Sequence, residues 1–207
     1  MLFDTFDRIV AAFAEGAFRA EVEGARRLFF ERSGKVSDEE LRFEERITAF
    51  LEWYALERPL ARQGLPPVVA YARAQADEEE HARARALATS HWSLFRVREL
   101  RPELVRLEDL WGGARFAAFD RRRTGIEVGD VLEARLVFHE GHVMFTRAFC
   151  WHPREAHAAL LARLAVARAR GEAKEAALLG FARARLRCER YGKNVPIARI
   201  YETMEVL

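Results

Sequence analysis

The sequence is poor in residues and motifs that usually identify a reaction. Two of its 207 residues are cysteines, Cys150 and Cys188, and they form no CxxC pair. Serine is scarce, and no GxSxG nucleophile motif occurs. The phosphate-binding GxxxxGK[ST] motif and the dinucleotide-binding GxGxxG motif are also missing. The sequence therefore gives no motif-level indication of a serine nucleophile or of a phosphate-cradling loop.

Long apolar runs are missing as well. No run approaches the roughly 18–20 residues needed to cross a bilayer. Asp4 and Asp7 precede the first basic side chain, where a secretory signal would place Lys or Arg. Two distant cysteines with free thiols are typical of a reducing compartment. We therefore expect a cytoplasmic protein with no membrane association.

The composition is that of a globular protein, with 50% apolar and 32% charged residues. Apolar residues recur at helical spacing before residue 90 and again after residue 153, whereas they alternate with polar residues in between. We therefore predict an α+β protein that is packed as one compact unit. Its expected parts are a helical region (1–90), a small antiparallel β-region (91–152) and C-terminal helices (153–207).

The clearest strands are predicted at 131–139 and 142–149, because Glu140-Gly141 is a two-residue hairpin signal between them. Such a turn places three apolar pairs on one face: Phe138 with Val143, Leu136 with Phe145, and Leu132 with Phe149. The other face is mostly polar: His139 with His142, Val137 with Met144, and Arg135 with Thr146. About five short strands in this region predict a small antiparallel β-barrel or a curled sheet.

Charge is distributed unevenly along the chain. Residues 1–60 carry 13 acidic and nine basic side chains, whereas residues 111–207 carry 11 acidic and 17 basic ones. A basic half can bind phosphates, although a solvated basic face is an equally simple explanation. The candidate nucleic-acid contacts lie in a basic loop and on a predicted C-terminal helix: Arg121, Arg122, Arg123, Arg183 and Arg187.

Four histidines lie close together in sequence near Cys150. His139 and His142 should oppose each other on one face of the hairpin, near enough to share a metal ion. His152, His157 or Glu140 could add ligands only if the chain folds back. Exposed histidines at the end of a hairpin are the alternative. Cys150, between Phe149 and Trp151, is expected to be buried and inert.

Four segments resemble a group of uncharacterised bacterial proteins: FEERITAFLEWYALERPL, HWSLFRVREL, LVRLEDLWGGARFAAF and VGDVLEARLVF. The resemblance covers roughly residues 20–150. It implies a free-standing cytosolic bacterial protein of unknown function, and it brings no known activity and no site residues.

The leading functional hypothesis is a non-enzymatic binding or protein-interaction module, because no complete catalytic constellation is visible. The helical arms would supply the partner surface, for another protein or for a second copy of the chain. The alternatives are a nucleic-acid-associated protein that uses the basic C-terminal half, and a metal-dependent enzyme or sensor built on His139 and His142. No cofactor is expected.

Overall fold

Helices lie before and after a continuous series of strands in this computed structural model, which describes residues 1–40, 42–120 and 125–204. The α-helices are α1 (Leu2–Ala14), α2 (Arg19–Ser33), α3 (Phe43–Leu56), α4 (Pro67–Ala74), α5 (Glu78–Ala88), α6 (His157–Ala169), α7 (Lys174–Tyr191) and α8 (Ile197–Glu202). The strands are β1 (His91–Arg101), β2 (Leu104–Asp109), β3 (Arg115–Phe119), β4 (Val131–His139) and β5 (His142–His152).

The five strands form one sheet that closes in a ring in the order β1-β2-β3-β5-β4, with β4 returning to β1. Strand β1 pairs antiparallel with both β2 and β4. Strands β3 and β5 run parallel, through Ala118 with Val143 and Phe119 with Met144. The prediction of an α+β protein is confirmed, but the sheet is mixed rather than antiparallel. Sequence patterns predict individual strands and tight hairpins. The parallel pairing of β3 with β5 depends instead on the path of the long connection after β3, which these patterns do not specify.

The β4–β5 hairpin has the predicted turn. Glu140 and Gly141 both adopt positive φ, 50° and 80°, as a two-residue type I′ turn requires. The predicted register is correct near this turn, where Phe138 pairs with Val143 and Leu136 with Phe145. Beyond it the register moves by two residues, so that Leu132 pairs with Trp151 and not with Phe149. A bulge on β5 therefore separates the two halves of the hairpin.

Strand β4 is buried on both faces except at its end near the turn. Its inner side chains, including Leu132 and Leu136, fill the ring. Its outer face was expected to be solvated, but helices cover it. Val137 packs with the N-terminal helices and Val131 with the C-terminal helices. Between these two apolar contacts the outer face carries Glu133 and Arg135, which lie where the two helical groups meet.

Helices α1, α4 and α5 are joined through the buried carboxylate of Glu80. It accepts hydrogen bonds from Thr5 and Tyr71, both at 2.9 Å, and two from Arg8 at 2.9 and 2.7 Å. Arg83 donates a further bond at 3.2 Å. The hydrogen bonds from Arg8 are the main reason that the pKa of Glu80 falls to about 2.

Glu80→Gln is expected to lower the free energy of unfolding by about 2–3 kcal/mol at pH 7, because charge-assisted hydrogen bonds to a buried carboxylate are lost. The folded pKa lies below the ordinary value of 4.5, so this stabilisation is complete above pH 4.5 and declines as the pH falls towards 2. Urea denaturation at pH 7 and pH 3 should therefore show a smaller difference from wild type at pH 3.

The neighbouring Glu79→Gln is the matched control, since the side chain of Glu79 is 84% exposed and pairs with Arg83 at 3.1 Å. Its effect should stay within about 0.5 kcal/mol at both pH values. Equal effects of the two substitutions would show that the Glu80 cluster does not hold these helices together.

None of the helices in the described ranges combines the length and the apolar character needed to cross a membrane.

Candidate functional site

A small cavity lies where α3 and α7 meet the outer face of β4 and β5; we call it the central cavity. Its volume is about 40 Å³, and a buried water needs about 10–15 Å³ on this measure. It therefore has room for a few waters or for an ion. Its polar walls come from Arg46, Glu52, Glu133, Arg135 and Cys150, and Trp53 and Trp92 complete the nearby lining.

Arg135 crosses from β4 to the helical layer, with only 2% of its side chain exposed. Its guanidinium donates to Glu57 at 2.6 Å and to Ser90 at 3.1 Å. It also lies 5.7 Å from the ring centroid of Trp92, within the range of a cation–π contact. Two carboxylates thus compensate the positive charge of this buried arginine: Glu52 of α3, and Glu57, which directly follows α3.

Glu52 of α3 supports the bulge of β5. One oxygen accepts the backbone N–H groups of Arg147 and Ala148, both at 2.9 Å, and the other accepts the Thr146 hydroxyl at 2.8 Å. The same carboxylate lies 3.6 Å from the Nε of Arg135. The two backbone donors lie in the stretch where the ladder is interrupted, so Glu52 supplies the hydrogen bonds that the missing strand partners would have made.

Arg46 of α3 holds the end of α2. Its guanidinium donates to the carbonyl and the hydroxyl of Ser33, at 2.7 and 2.6 Å, and to the carbonyl of Gly34 at 3.3 Å. A cation at the C-terminus of a helix satisfies carbonyls that lack intrahelical partners. Burial lowers the pKa of Arg46. Arg46 also lines the central cavity.

Glu133 is the second carboxylate of the cavity and is 7% exposed. One oxygen accepts the indole N–H of Trp92 at 3.0 Å. Burial raises the pKa of Glu133 to about 7, against the opposing effects of Arg46, the Trp92 hydrogen bond and Arg135. The carboxyl group is thus poised to exchange a proton near neutral pH.

Cys150 and His152 lie beside Glu133 on the outer face of β5. The register pairs Glu133 with Cys150 directly, and His152 follows two residues later on the same face. One potential ligand atom from each of the three side chains lies within 4.8 Å of the other two. The Nδ1 of His152 is hydrogen bonded to the hydroxyl of Tyr201 at 2.7 Å. Burial raises the pKa of the Cys150 thiol to about 12 and lowers that of His152 to about 3.

Several buried polar atoms at this place have no hydrogen-bond partner within the described part of the chain. They are the Oε2 of Glu133, the Nε of Arg46, the Nε of Arg135, the Nε1 of Trp53 and the Nε2 of His152. The first four belong to residues that line the central cavity, and His152 lies beside Glu133 and Cys150 of that lining. Buried polar atoms in native proteins are usually paired, so this concentration indicates a site for a polar occupant.

The side of the cavity nearest to solvent is bounded by ion pairs between α3 and α7. Arg42, at the start of α3, lies 2.6 Å from Glu45 and 2.5 Å from Glu189 of α7. Arg185 lies 3.0 Å from Glu189 and donates to the carbonyl of Trp151 at 2.6 Å. These side chains are 17–52% exposed.

A second cluster has the residue types of a catalytic triad in a different arrangement. Asp109 accepts hydrogen bonds from the Oγ of Ser93 at 2.5 Å and from the Nε2 of His91 at 2.9 Å. The carboxylate therefore stands between the serine and the histidine, so the imidazole does not act on the hydroxyl. Burial alone would raise the pKa of Asp109, but the hydrogen bonds from His91 and Ser93 outweigh it and lower this pKa to about 2. The cluster fixes the turn after β2.

His139 and His142 face each other at the closed end of the hairpin, as the register predicted. The Nε2 of His139 lies 3.3 Å from Glu140, and the ring of His142 packs against Phe119 with 5.3 Å between centroids. His152 lies at the open end, where His157 donates to its carbonyl at 3.1 Å. The hairpin thus separates the four histidines into two pairs, and a metal ion at His139 and His142 stays a prediction.

The predicted nucleic-acid contacts are only partly described. Arg121, Arg122 and Arg123 lie outside the described residues. Arg183 and Arg187 are one turn apart on α7 and line one shallow surface depression. Arg183 donates to the carbonyl of Glu31 at the end of α2. A common surface for these five arginines stays a prediction.

The sequence reading missed the group Glu133, Cys150 and His152. Cys150 was expected to be buried and inert, and Glu133 was not singled out. One signal was available, because a two-residue turn places residues of odd sequence separation on the two strands, such as Glu133 and Cys150, on the same face. The two-residue register shift keeps that parity, but it is the shift that brings Glu133 directly opposite Cys150.

The comparisons with known proteins place the chain in a family. The model of a Family of unknown function (DUF7986) matches residues 28–183, which is most of the chain, and the chain belongs to this family. The predicted likeness to a family of unknown function is thereby confirmed. The match includes Glu133, Cys150 and His152 and ends within α7. No curated protein and no solved structure matches the chain.

Proposed function

We propose that the chain is a non-enzymatic binding protein and that the central cavity holds its ligand. The observation that carries this proposal is the gathering of unpartnered buried polar atoms around one small space. Leaving a buried donor or acceptor unsatisfied costs about 1–3 kcal/mol each. A polar occupant that pairs with several of them offsets this cost and stabilises the fold.

The size of the cavity limits the ligand. A volume of about 40 Å³ is far below the roughly 300–1,000 Å³ of pockets that hold drug-sized molecules. The ligand is therefore an ion or a molecule with very few non-hydrogen atoms. Its site lies between α3, α7 and the hairpin, so binding ties the helical regions to the ring of strands.

Binding fits the chemistry of the cavity better than turnover does. An activated cysteine nucleophile needs a lowered pKa, whereas burial raises the pKa of Cys150 to about 12. The Nδ1 of His152 is hydrogen bonded to Tyr201, so this nitrogen is not directed at the thiol. The cavity also leaves no space for a substrate beside the reacting groups.

The test is ligand-dependent thermal unfolding with a panel of small ions: chloride, nitrate, formate, Mg²⁺, Ca²⁺, Mn²⁺ and Zn²⁺. One class of ion should raise the Tm of the wild type by several degrees. The reason is that binding at 100 times the Kd adds about 2.7 kcal/mol, and 1 kcal/mol corresponds to about 2–4 °C in a chain of this size.

The variant Ala49→Leu should abolish this response, because Ala49 lines the cavity and a leucine there fills it. Ala176→Leu is the matched control, since Ala176 is also a half-buried helical alanine and is not part of the cavity lining. The proposal fails if no ion raises the Tm of the wild type, or if Ala49→Leu responds as the wild type does.

Self-association and nucleic-acid binding through the arginines of the C-terminal half stay predictions. Each has a simple measurement, sedimentation velocity for the first and salt-dependent binding of short DNA and RNA for the second. Neither depends on the central cavity, and both can hold together with the proposed ligand site.

A further inference from the structure

We propose that Glu133, Cys150 and His152 form a binding site for a divalent transition-metal ion of the zinc class, with one coordination position open to the central cavity. This inference rests on the proposed binding function, because it names the ligand of the same cavity. Its basis is the meeting of a carboxylate, a thiol and an imidazole within 4.8 Å at the open end of the hairpin.

Two of the three proposed ligands, Glu133 and His152, each carry one potential donor atom that is free to bind a metal. The Oε2 of Glu133 and the Nε2 of His152 are both buried and have no hydrogen-bond partner in the described part of the chain. Both residues are more than nine-tenths buried. Zinc ligands lie about 2.0–2.3 Å from the metal, which places them roughly 3.3–3.8 Å apart in a tetrahedral site. The side-chain tips therefore need to approach one another by about 1 Å.

The opposite atoms of the same residues are already held in place. The Oε1 of Glu133 accepts the indole N–H of Trp92, and the Nδ1 of His152 is bonded to the Tyr201 hydroxyl. Metal-binding carboxylates and histidines typically have such partners, which fix the orientation of the ring or carboxylate and leave the other atom free.

The donor set selects the class of metal. Thiolate and imidazole favour zinc and neighbouring transition metals, whereas Ca²⁺ and Mg²⁺ prefer sites made of oxygen alone. Three protein ligands and one open position also differ from a closed structural zinc site. The fourth ligand would be a water in the central cavity. Ligation replaces the proton of the Cys150 thiol and leaves a carboxylate and a thiolate to balance the two charges of the metal.

Two probes test this site. The absorption spectrum of bound Co²⁺ depends on the type and geometry of its ligands, and Zn²⁺ in competition with a chromogenic chelator gives the affinity and the stoichiometry. Protein made without a histidine tag should bind one Zn²⁺ per chain. With Co²⁺ it should show a thiolate-to-metal charge-transfer band in the near ultraviolet and the strong visible bands of a tetrahedral site. Cys150→Ser should lose the charge-transfer band.

Three further variants keep the test decisive if Cys150→Ser does not fold. Glu133→Gln, which loses a ligand, should weaken Zn²⁺ binding by at least about tenfold, and Tyr201→Phe, which frees the His152 ring, by about tenfold. His139→Ala/His142→Ala is the control, because this pair lies at the closed end of the hairpin. It should bind Zn²⁺ and Co²⁺ as the wild type does.

The inference is overturned if the wild type binds no metal, if its Co²⁺ complex lacks the thiolate band, or if binding disappears in His139→Ala/His142→Ala. The last result would place the metal at the turn of the hairpin. If metals fail but another ion raises the Tm of the wild type and not of Ala49→Leu, the proposed function stands and only the metal site is wrong.

Discussion

Arg135→Met is expected to lower the free energy of unfolding by about 3–5 kcal/mol, because breaking a buried ion pair leaves uncompensated charge. Arg135 is 2% exposed and lies between Glu52 and Glu57. Methionine keeps most of the apolar stem but gives the two carboxylates no positive partner. Glu57 is one-third exposed and can turn to water, whereas Glu52 cannot. Equilibrium unfolding in urea at pH 7 measures the difference.

Arg147→Met, on the same hairpin, is the matched control. Arg147 also pairs with a carboxylate, that of Asp7 at 2.6 Å, but the two side chains are 45% and 55% exposed. Exposed pairs contribute about 0–1 kcal/mol, so this variant should remain close to wild type. If Arg135→Met lowered the free energy of unfolding no more than Arg147→Met does, the buried charges would not be essential to the packing of the helices on the ring of strands.

Glu52→Gln is expected to cost about 2–4 kcal/mol, since it removes charge-assisted hydrogen bonds from a side chain that is only 5% exposed. A glutamine amide has one acceptor oxygen, so it can accept from the backbone N–H groups of Arg147 and Ala148 or from Thr146 but not from both sets, and as a neutral group it binds the two N–H groups more weakly than the carboxylate does. Hydrogen exchange should therefore quicken at the amides of Arg147 and Ala148 beyond the change in global stability.

Glu45→Gln is the control on the same helix, because Glu45 is 52% exposed and pairs with Arg42 at 2.6 Å. Its effect should stay within about 0.5 kcal/mol and should leave those two amides unchanged. If Glu52→Gln were as stable as the wild type and the amides of Arg147 and Ala148 stayed protected from hydrogen exchange, the bulge would not depend on hydrogen bonds from α3.

The hairpin shows how far local pattern determines this fold. A Glu-Gly turn between alternating strands was enough to predict the pairs from His139–His142 to Leu136–Phe145, since a two-residue turn sets the register beside it. The bulge could not be predicted in this way. It depends on Glu52, which lies 94 residues from Thr146 in sequence.

The burial of the outer face of β4 was missed for a related reason. Glu133 and Arg135 made this face look solvated, because charged residues are rarely fully buried unless they are paired. Their partners, Glu52, Glu57 and Trp92, come from other elements and are visible only in the tertiary structure. The parallel pairing of β3 with β5 likewise depends on the path of the long connection after β3, which no local pattern specifies.

The metal site that we propose uses other residues than the histidine pair that the sequence suggested, and the metal ion at that pair stays a prediction. The sequence reading singled out histidines near Cys150 and chose the pair at the turn, because only that pair had a defined register. Glu133, Cys150 and His152 meet instead through the shifted half of the hairpin. The orienting contact from Tyr201 comes from the last helix, and no local pattern connects it with His152.

The most direct test of this account is a crystal structure of the protein grown with Zn²⁺, with anomalous data collected on both sides of the zinc absorption edge. The account predicts one strong anomalous peak between Glu133, Cys150 and His152, with a water or small ligand extending from it into the central cavity. A cavity that contains only ordered waters, or an anomalous peak at His139 and His142 alone, would contradict it.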